Sequence, residues 1–83
     1  MDIYDAADVV QANIGEPIAI VQVPGEKYYY AIAYRPEVEH ARGHQYAYST
    51  HLVTNHYCEQ GHYDMSRLEA DEDLIYRLGY SHG

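Results

Sequence analysis

A small α+β domain, with a helix near each end and an antiparallel three-stranded sheet between them, is the fold that this 83-residue sequence predicts. Three observations lead to it. Residues 2–14 and 66–78 carry apolar side chains at helical spacing, each run opening on a capping residue and closing on a glycine. Residues 17–23, 28–34 and 45–54 are instead rich in β-branched and aromatic side chains, alternating in the way strands alternate. A chain of this length holds one domain with one modest core, which all these elements must share.

In the first helix, Asp2 is placed to cap the start, and Gly15 stands where a left-handed cap would end it. At 100° per residue Ile3, Ala7, Val10 and Ile14 fall within about 60° of one another, with Asp2, Asp5 and Asp8 on the far side. Acids near a helix N-terminus complement its dipole, so Asp2 and Asp5 read as capping groups. Asp8 lies too far along for that and is assigned to a partner.

Residues 17–23 and 28–34 form a hairpin across Pro24, Gly25, Glu26 and Lys27. In the second strand Tyr28, Tyr30, Ile32 and Tyr34 point one way, and Tyr29, Ala31 and Ala33 the other. Small alanines let a helix approach closely, which would leave the tyrosine row facing out. The reverse assignment buries the tyrosines, and periodicity leaves both open. Residues 35–44, polar and punctuated by Pro36 and Gly43, read as a loop. A third strand over 45–54 sets Tyr46, Tyr48, Thr50 and Leu52 against Ala47, Ser49, His51 and Val53. Its alternation joins Tyr46 and Tyr48 to Tyr28, Tyr30 and Tyr34 in one ribbon, on a sheet covered on its other face.

Residues 55–63 read as a connecting loop with at most a short strand about Tyr57. The last helix starts near Asp64 or Ser66, where Ser66 and Glu69 have capping-box spacing, and stops at Gly79. Its inward stripe is Leu68, Leu74, Ile75 and Leu78. Asp71 falls inside that stripe, as a second N-cap where the helix breaks and restarts or as part of a face for a partner.

Thirteen acidic residues face five basic ones, for a formal charge of −8. Attraction to DNA, RNA or anionic lipid is opposed by that field, so the expected partner is a basic protein surface. The excess acid concentrates in the two terminal helices. Eleven tyrosines, with no phenylalanine or tryptophan, are too many for so small a core. Tyr4, Tyr76 and Tyr80 are its candidates for the interior. Tyr28, Tyr30, Tyr34, Tyr46 and Tyr48 are assigned to an interface, where tyrosine supplies large contact area with few rotors to freeze. Cys58 is the only cysteine and can form no internal disulfide. That fits a reducing compartment, and with neither a leader nor a run of membrane-spanning length in view the protein is expected in the cytoplasm.

His51, His56, Cys58 and His62 are residue types that zinc prefers, but their spacing lacks the short two-ligand knuckles of a structural zinc site. The plainer reading leaves them solvated, and no metal or cofactor is expected. His40 and His44 have the separation of a helical metal pair, with Gly43 between them arguing against a helix. Cys58 beside His56 and His62 suggests a nucleophile and a base, yet no oxyanion-hole motif or phosphate-cradling glycine loop accompanies them. A non-enzymatic protein is therefore expected.

In size, acidity and element order the whole chain resembles the small phage-encoded inhibitors of bacterial defence, particularly anti-CRISPR proteins. The resemblance implies a protein that occupies the nucleic-acid-binding surface of a nuclease or defence complex in a bacterial cytoplasm. Asp8, Glu69, Asp71, Glu72 and Asp73 would supply charge where phosphates would lie, and the exposed tyrosines would supply the anchor. An antitoxin or immunity protein directed at a basic toxin would use the same chemistry. A zinc- or pH-responsive structural module would use the histidines instead, and a homodimer would pair the tyrosine face with its own copy.

Overall fold

The computed structural model describes residues 1–82. In chain order the elements are α1 (Ile3–Asn13), β1 (Glu16–Gln22), β2 (Tyr29–Tyr34), α2 (Pro36–Arg42), a short 3-10 turn (His44–Tyr46), β3 (Tyr48–Val53), β4 (Cys58–Met65) and α3 (Arg67–His82). The strands lie side by side in sequence order, each antiparallel to the next. The α+β class holds, with three helices and four strands where the sequence predicts two and three.

β2 is the middle of the core. Tyr29 through Ala33 are all buried, because the two helices cover opposite faces of the sheet. This corrects the expectation of a sheet covered on one face. On the alanine side, Ala31 and Ala33 pack with Tyr29, Val53 and the α1 residues Ala6 and Val10. On the other side Tyr30 and Ile32 pack with Val23 and with Ala70 and Leu74 of α3. Truncating a fully buried residue such as Ile32 to alanine in so small a core would cost about 2–5 kcal/mol.

α1 opens as expected. The Asp5 amide donates to the Asp2 carboxylate at 2.8 Å, and the Asp2 amide donates back to Asp5 at 3.1 Å, a reciprocal capping box. Its buried line is rotated from the predicted one. Ala6 and Val10 face the sheet, while Ile3 and Tyr4 lie exposed at its rim. Gly15 closes the helix for a different reason from the one predicted, since it is Gly25 and Gly43 that take positive φ. A Cβ at Gly15 would stand 2.6 Å from the Tyr34 carbonyl oxygen. Glycine is needed there for close approach.

Three further segments differ from expectation. Residues 36–42 form a helix, with Pro36 preset at its first turn and no residue buried; a helix without a buried face has no apolar period to read. Residues 58–65 form a full edge strand, with Gln60 at φ 50° and Asp64 at φ 60° and two breaks in its register against β3. Those irregularities erase the alternation by which strands are recognised. α3 runs unbroken through Asp71 and past Gly79. Ser66 and Glu69 cap it reciprocally as predicted, and Asp71 pairs with Arg67 rather than restarting the helix. Among the described residues no helix is long and apolar enough to cross a membrane.

The Gly15 contact is testable. Gly15→Ala sets a methyl against a carbonyl oxygen that cannot move without shifting β2, so a loss of about 1–3 kcal/mol is expected. Thermal unfolding reads this as a drop of roughly 4–8 °C per kcal/mol. A variant that melts at the parental temperature would contradict the close approach.

Candidate functional site

Tyr28, Tyr30, Tyr34 and Tyr48 share the sheet face that α3 covers. Tyr34 and Tyr48 are cross-strand partners with ring centroids 5.1 Å apart, and Tyr28 meets Tyr30 edge-on at 6.4 Å. Tyr30 lies under α3, with the Arg77 guanidinium 5.6 Å from its ring centre. Tyr34, Tyr48 and Tyr28 are half-buried. The Tyr34 hydroxyl donates to the Glu39 carboxylate of α2, and that hydrogen bond, with burial behind it, pushes the phenol up to about 12. Tyr46 is not part of the row. It belongs to the 3-10 turn, where the Arg42 guanidinium lies 4.5 Å from its ring centre.

Two tyrosines expected inside are outside: Tyr4 is 78% exposed and Tyr76 is 68% exposed. The side chain of Tyr80 lies outside the described residues. The helical angle explains Tyr76. α3 turns Ala70, Leu74 and Arg77 inward, which rotates Leu68 and Ile75 out of the predicted inward stripe into solvent, at 67% and 69% exposure. Glu69 and Glu72 are exposed on the same side. The outer face of α3 thus interleaves three large apolar side chains with two carboxylates. Leu74 and Leu78 of the predicted stripe do pack on the core, so that stripe is right along one edge and too wide along the other, where Asp71 already marked its limit.

The remaining acids divide by task. Asp8 is exposed on α1. Asp71 holds Arg67 at 3.0 Å. Asp73 points inward, where its Oδ2 accepts from the Thr50 hydroxyl, from His62 Nδ1 at 2.8 Å and from Arg77 Nε at 3.2 Å. Burial alone would raise this carboxyl, but the three hydrogen bonds outweigh it and hold it below the usual carboxylate range. Arg77 continues across to donate to the carbonyl of Gln60, the positive-φ residue of β4. The other arginines are also engaged, Arg42 with Asp64 at 2.8 Å and Arg35 with the same carboxylate at 4.0 Å.

The four zinc-type residues do not converge. His51 sits on the α1 face of β3, fully buried, with Nε2 hydrogen-bonded to Ser49 Oγ at 2.8 Å and its ring edge-on to Tyr63 at 5.2 Å. His62 reaches Asp73 on the opposite face, and His56 is exposed in the turn before β4. Among the described residues no three His, Cys, Asp or Glu side chains are gathered as metal ligands would be. Gly43 ends α2 between His40 and His44, so that pair does not share a helix. Cys58 is half-buried against the α1-side core, and burial pushes its thiol up, away from the reactive thiolate.

Burial pushes the His51 imidazole down to about 4, with the positive charges of Arg77 and Arg35 and the neighbouring His62 adding to the effect. Its Nδ1 is enclosed without a hydrogen-bond partner, as is Arg35 Nε. A charged imidazole has no place there. Comparison with known families, curated proteins and solved structures finds no match for this chain.

Two outcomes follow from the buried polar groups. Asp73→Ala leaves Arg77, whose side chain is 6% exposed, without its carboxylate, and a loss of about 3 kcal/mol is expected in denaturant unfolding. Adding Arg77→Met should restore much of it, whereas a double variant weaker than the single one would contradict the pairing. The second outcome concerns pH. Between about pH 6.5 and pH 4 the unfolded chain binds a proton that folded His51 does not, so stability falls as pH falls through that window, by up to roughly 3 kcal/mol. Asp73, depressed when folded, adds its loss as pH falls from the ordinary carboxylate range towards its lower folded value. Ser49→Ala with His51→Leu should flatten the upper window of a melting-temperature profile and leave the acid limb in place; an unchanged profile above pH 4 would exclude His51 as its source.

Proposed function

We propose that this chain is a small acidic binding protein, without catalytic activity, that occupies the basic surface of a nucleic-acid-binding protein such as a nuclease or defence complex. The observation that carries this reading is the outer face of α3, where Leu68, Ile75 and Tyr76 stand exposed on the same side as Glu69 and Glu72. Exposed aromatic and aliphatic side chains next to carboxylates suit a partner whose site sets apolar surface beside cationic groups. A groove that accommodates nucleic acid bases and phosphates has that composition.

Charge distribution supports the same partner. Each of the four arginines already meets a carboxylate of this chain, so none is spare for phosphate contacts. Of the acids assigned to the partner, Asp8, Glu69 and Glu72 are exposed, while Asp71 and Asp73 act chiefly within the fold. The sheet tyrosines serve as the packing floor for α3, and Tyr76 takes the anchor role assigned to the ribbon. This surface would serve an anti-CRISPR-like inhibitor or an immunity protein equally, and the partner's identity separates the two.

The test is affinity capture from bacterial lysate at low and high salt, comparing the parent chain with Glu69→Lys/Glu72→Lys and with Ile75→Glu. The parent should retain a basic nucleic-acid-binding protein that added duplex DNA displaces. Charge reversal should lower recovery at low salt and flatten its salt dependence, and Ile75→Glu should weaken capture at least about tenfold at every salt. Equal recovery by all three proteins, or a captured partner indifferent to DNA, would rule the reading out.

A further inference from the structure

Edge strand β1 borders a second exposed surface, unrelated to the outer face of α3. A groove of about 350 Å³ lies between Ile3, Tyr4 and Ala7 of α1 and Ile18 and Ile20 of β1. Ile3 is 46% exposed and Tyr4 78% exposed at its rim. Among the described residues β1 ends the sheet, and no strand neighbours its outer backbone groups. Such an edge is commonly guarded by lysines, by proline or by a bulge. Here Pro17 and the register shift between Pro17 and Ala19 guard one end, and Ala19 through Gln22 pair regularly with β2. No charged residue lies between Glu16 and Glu26.

The acids of α1 are on its other flank. Asp5 and Asp8 line a separate depression with Val9, Asn55 and His56, beside the turn between β3 and β4. One side of α1 is therefore apolar and the other acidic. A basic partner would gain nothing from the apolar side. For a chain at −8, in contrast, that side is where two copies can meet without bringing carboxylates together.

We propose that β1 and this groove are the docking surface for a second copy of the chain, paired antiparallel edge to edge about a two-fold axis near Ile20. Antiparallel pairing of a strand with itself is isologous, so the axis sets Ile20 against its own counterpart and keeps both α1 helices on the same face of a continuous eight-stranded sheet. The two grooves then close on each other, each Tyr4 ring covering apolar surface that is open in the single copy. Tyrosine is suited to that position, with its ring at the seam and its hydroxyl towards water. The two α3 outer faces stay open, so the dimer presents two copies of the partner surface described above.

Sedimentation equilibrium from about 1 µM to about 0.5 mM tests this directly over the affinity range of a weak to moderate dimer. The parent chain should pass from one-copy to two-copy mass within that range, with amide exchange in residues 18–22 slowing as concentration rises. Tyr4→Glu, which changes an exposed side chain and should keep the parental circular dichroism and melting curve, is expected to raise the dissociation constant at least about tenfold. Ala19→Lys should act in the same direction through the strand edge. Ile75→Glu on α3 should leave the dimer unchanged, which separates this interface from the partner-binding one. One-copy mass at every concentration would overturn the proposal and leave the edge to a strand from another protein. A dimer that survives both Tyr4→Glu and Ala19→Lys would also overturn it.

Discussion

The Asp73 carboxylate is what allows an acid-rich helix to lie on a sheet of tyrosines. α3 carries Glu69, Asp71, Glu72 and Asp73 within its first half, and a helix so charged would ordinarily stay in solvent. Turning Asp73 inward brings one carboxylate oxygen to Thr50 of β3, His62 of β4 and Arg77 one helical turn later. Arg77 in turn spans to the Gln60 carbonyl. A single side chain therefore fastens α3 to the interior strand β3 and to the edge strand β4. Hydrogen bonds to a charged group are each worth more than neutral ones, and here they share an acceptor that is largely withdrawn from water.

That fastening decides which residues of α3 face outwards. With Ala70, Leu74 and Arg77 committed to the sheet, Leu68, Ile75 and Tyr76 have nowhere to go but solvent. The apolar patch and the carboxylates beside it on the outer face of α3 thus arise from one rotation of one helix. On the other face, small side chains set the geometry instead. Ala31 and Ala33 let α1 settle on β2, and the absence of a side chain at Gly15 lets its C-terminus meet the Tyr34 carbonyl. The two faces of the sheet are built on different physics, apolar close packing under α1 and a charged network beside the core under α3.

Much of this was legible in the sequence where local chemistry acts alone. The Asp2–Asp5 and Ser66–Glu69 caps, the hairpin at Gly25 and the alternation of β2 are each set by a few neighbouring residues. What could not be read was whatever depends on distant parts of the chain. β4 takes its path from two left-handed residues and a broken register, and α2 buries nothing, so neither leaves a periodic trace. Tyr46 follows the tyrosine alternation perfectly in sequence but precedes the strand, because the 3-10 turn shifts its start to Tyr48. The candidate surface is half visible in the sequence: Glu69 and Glu72 are exposed as expected, whereas periodicity assigns Leu68, Ile75 and Tyr76 beside them to the core. Apolar residues declare that they should be buried, and only the ionic network shows which of them are not.

The order of the strands has a consequence for how the domain forms. Each strand pairs with its neighbour in the chain, so the sheet contains no crossover and every pairing closes a short loop, the longest being the segment that holds α2. Loop-closure entropy is correspondingly small, and a meander of this kind belongs among the faster-folding topologies with β-structure. The β1–β2 and β2–β3 hairpins can assemble around the shared strand before either terminal helix docks. α1 and α3 then act as late clamps from the two ends of the chain. On this order the outer faces of the two helices are completed after the sheet, and a chain emerging during synthesis carries its sheet before it carries α3.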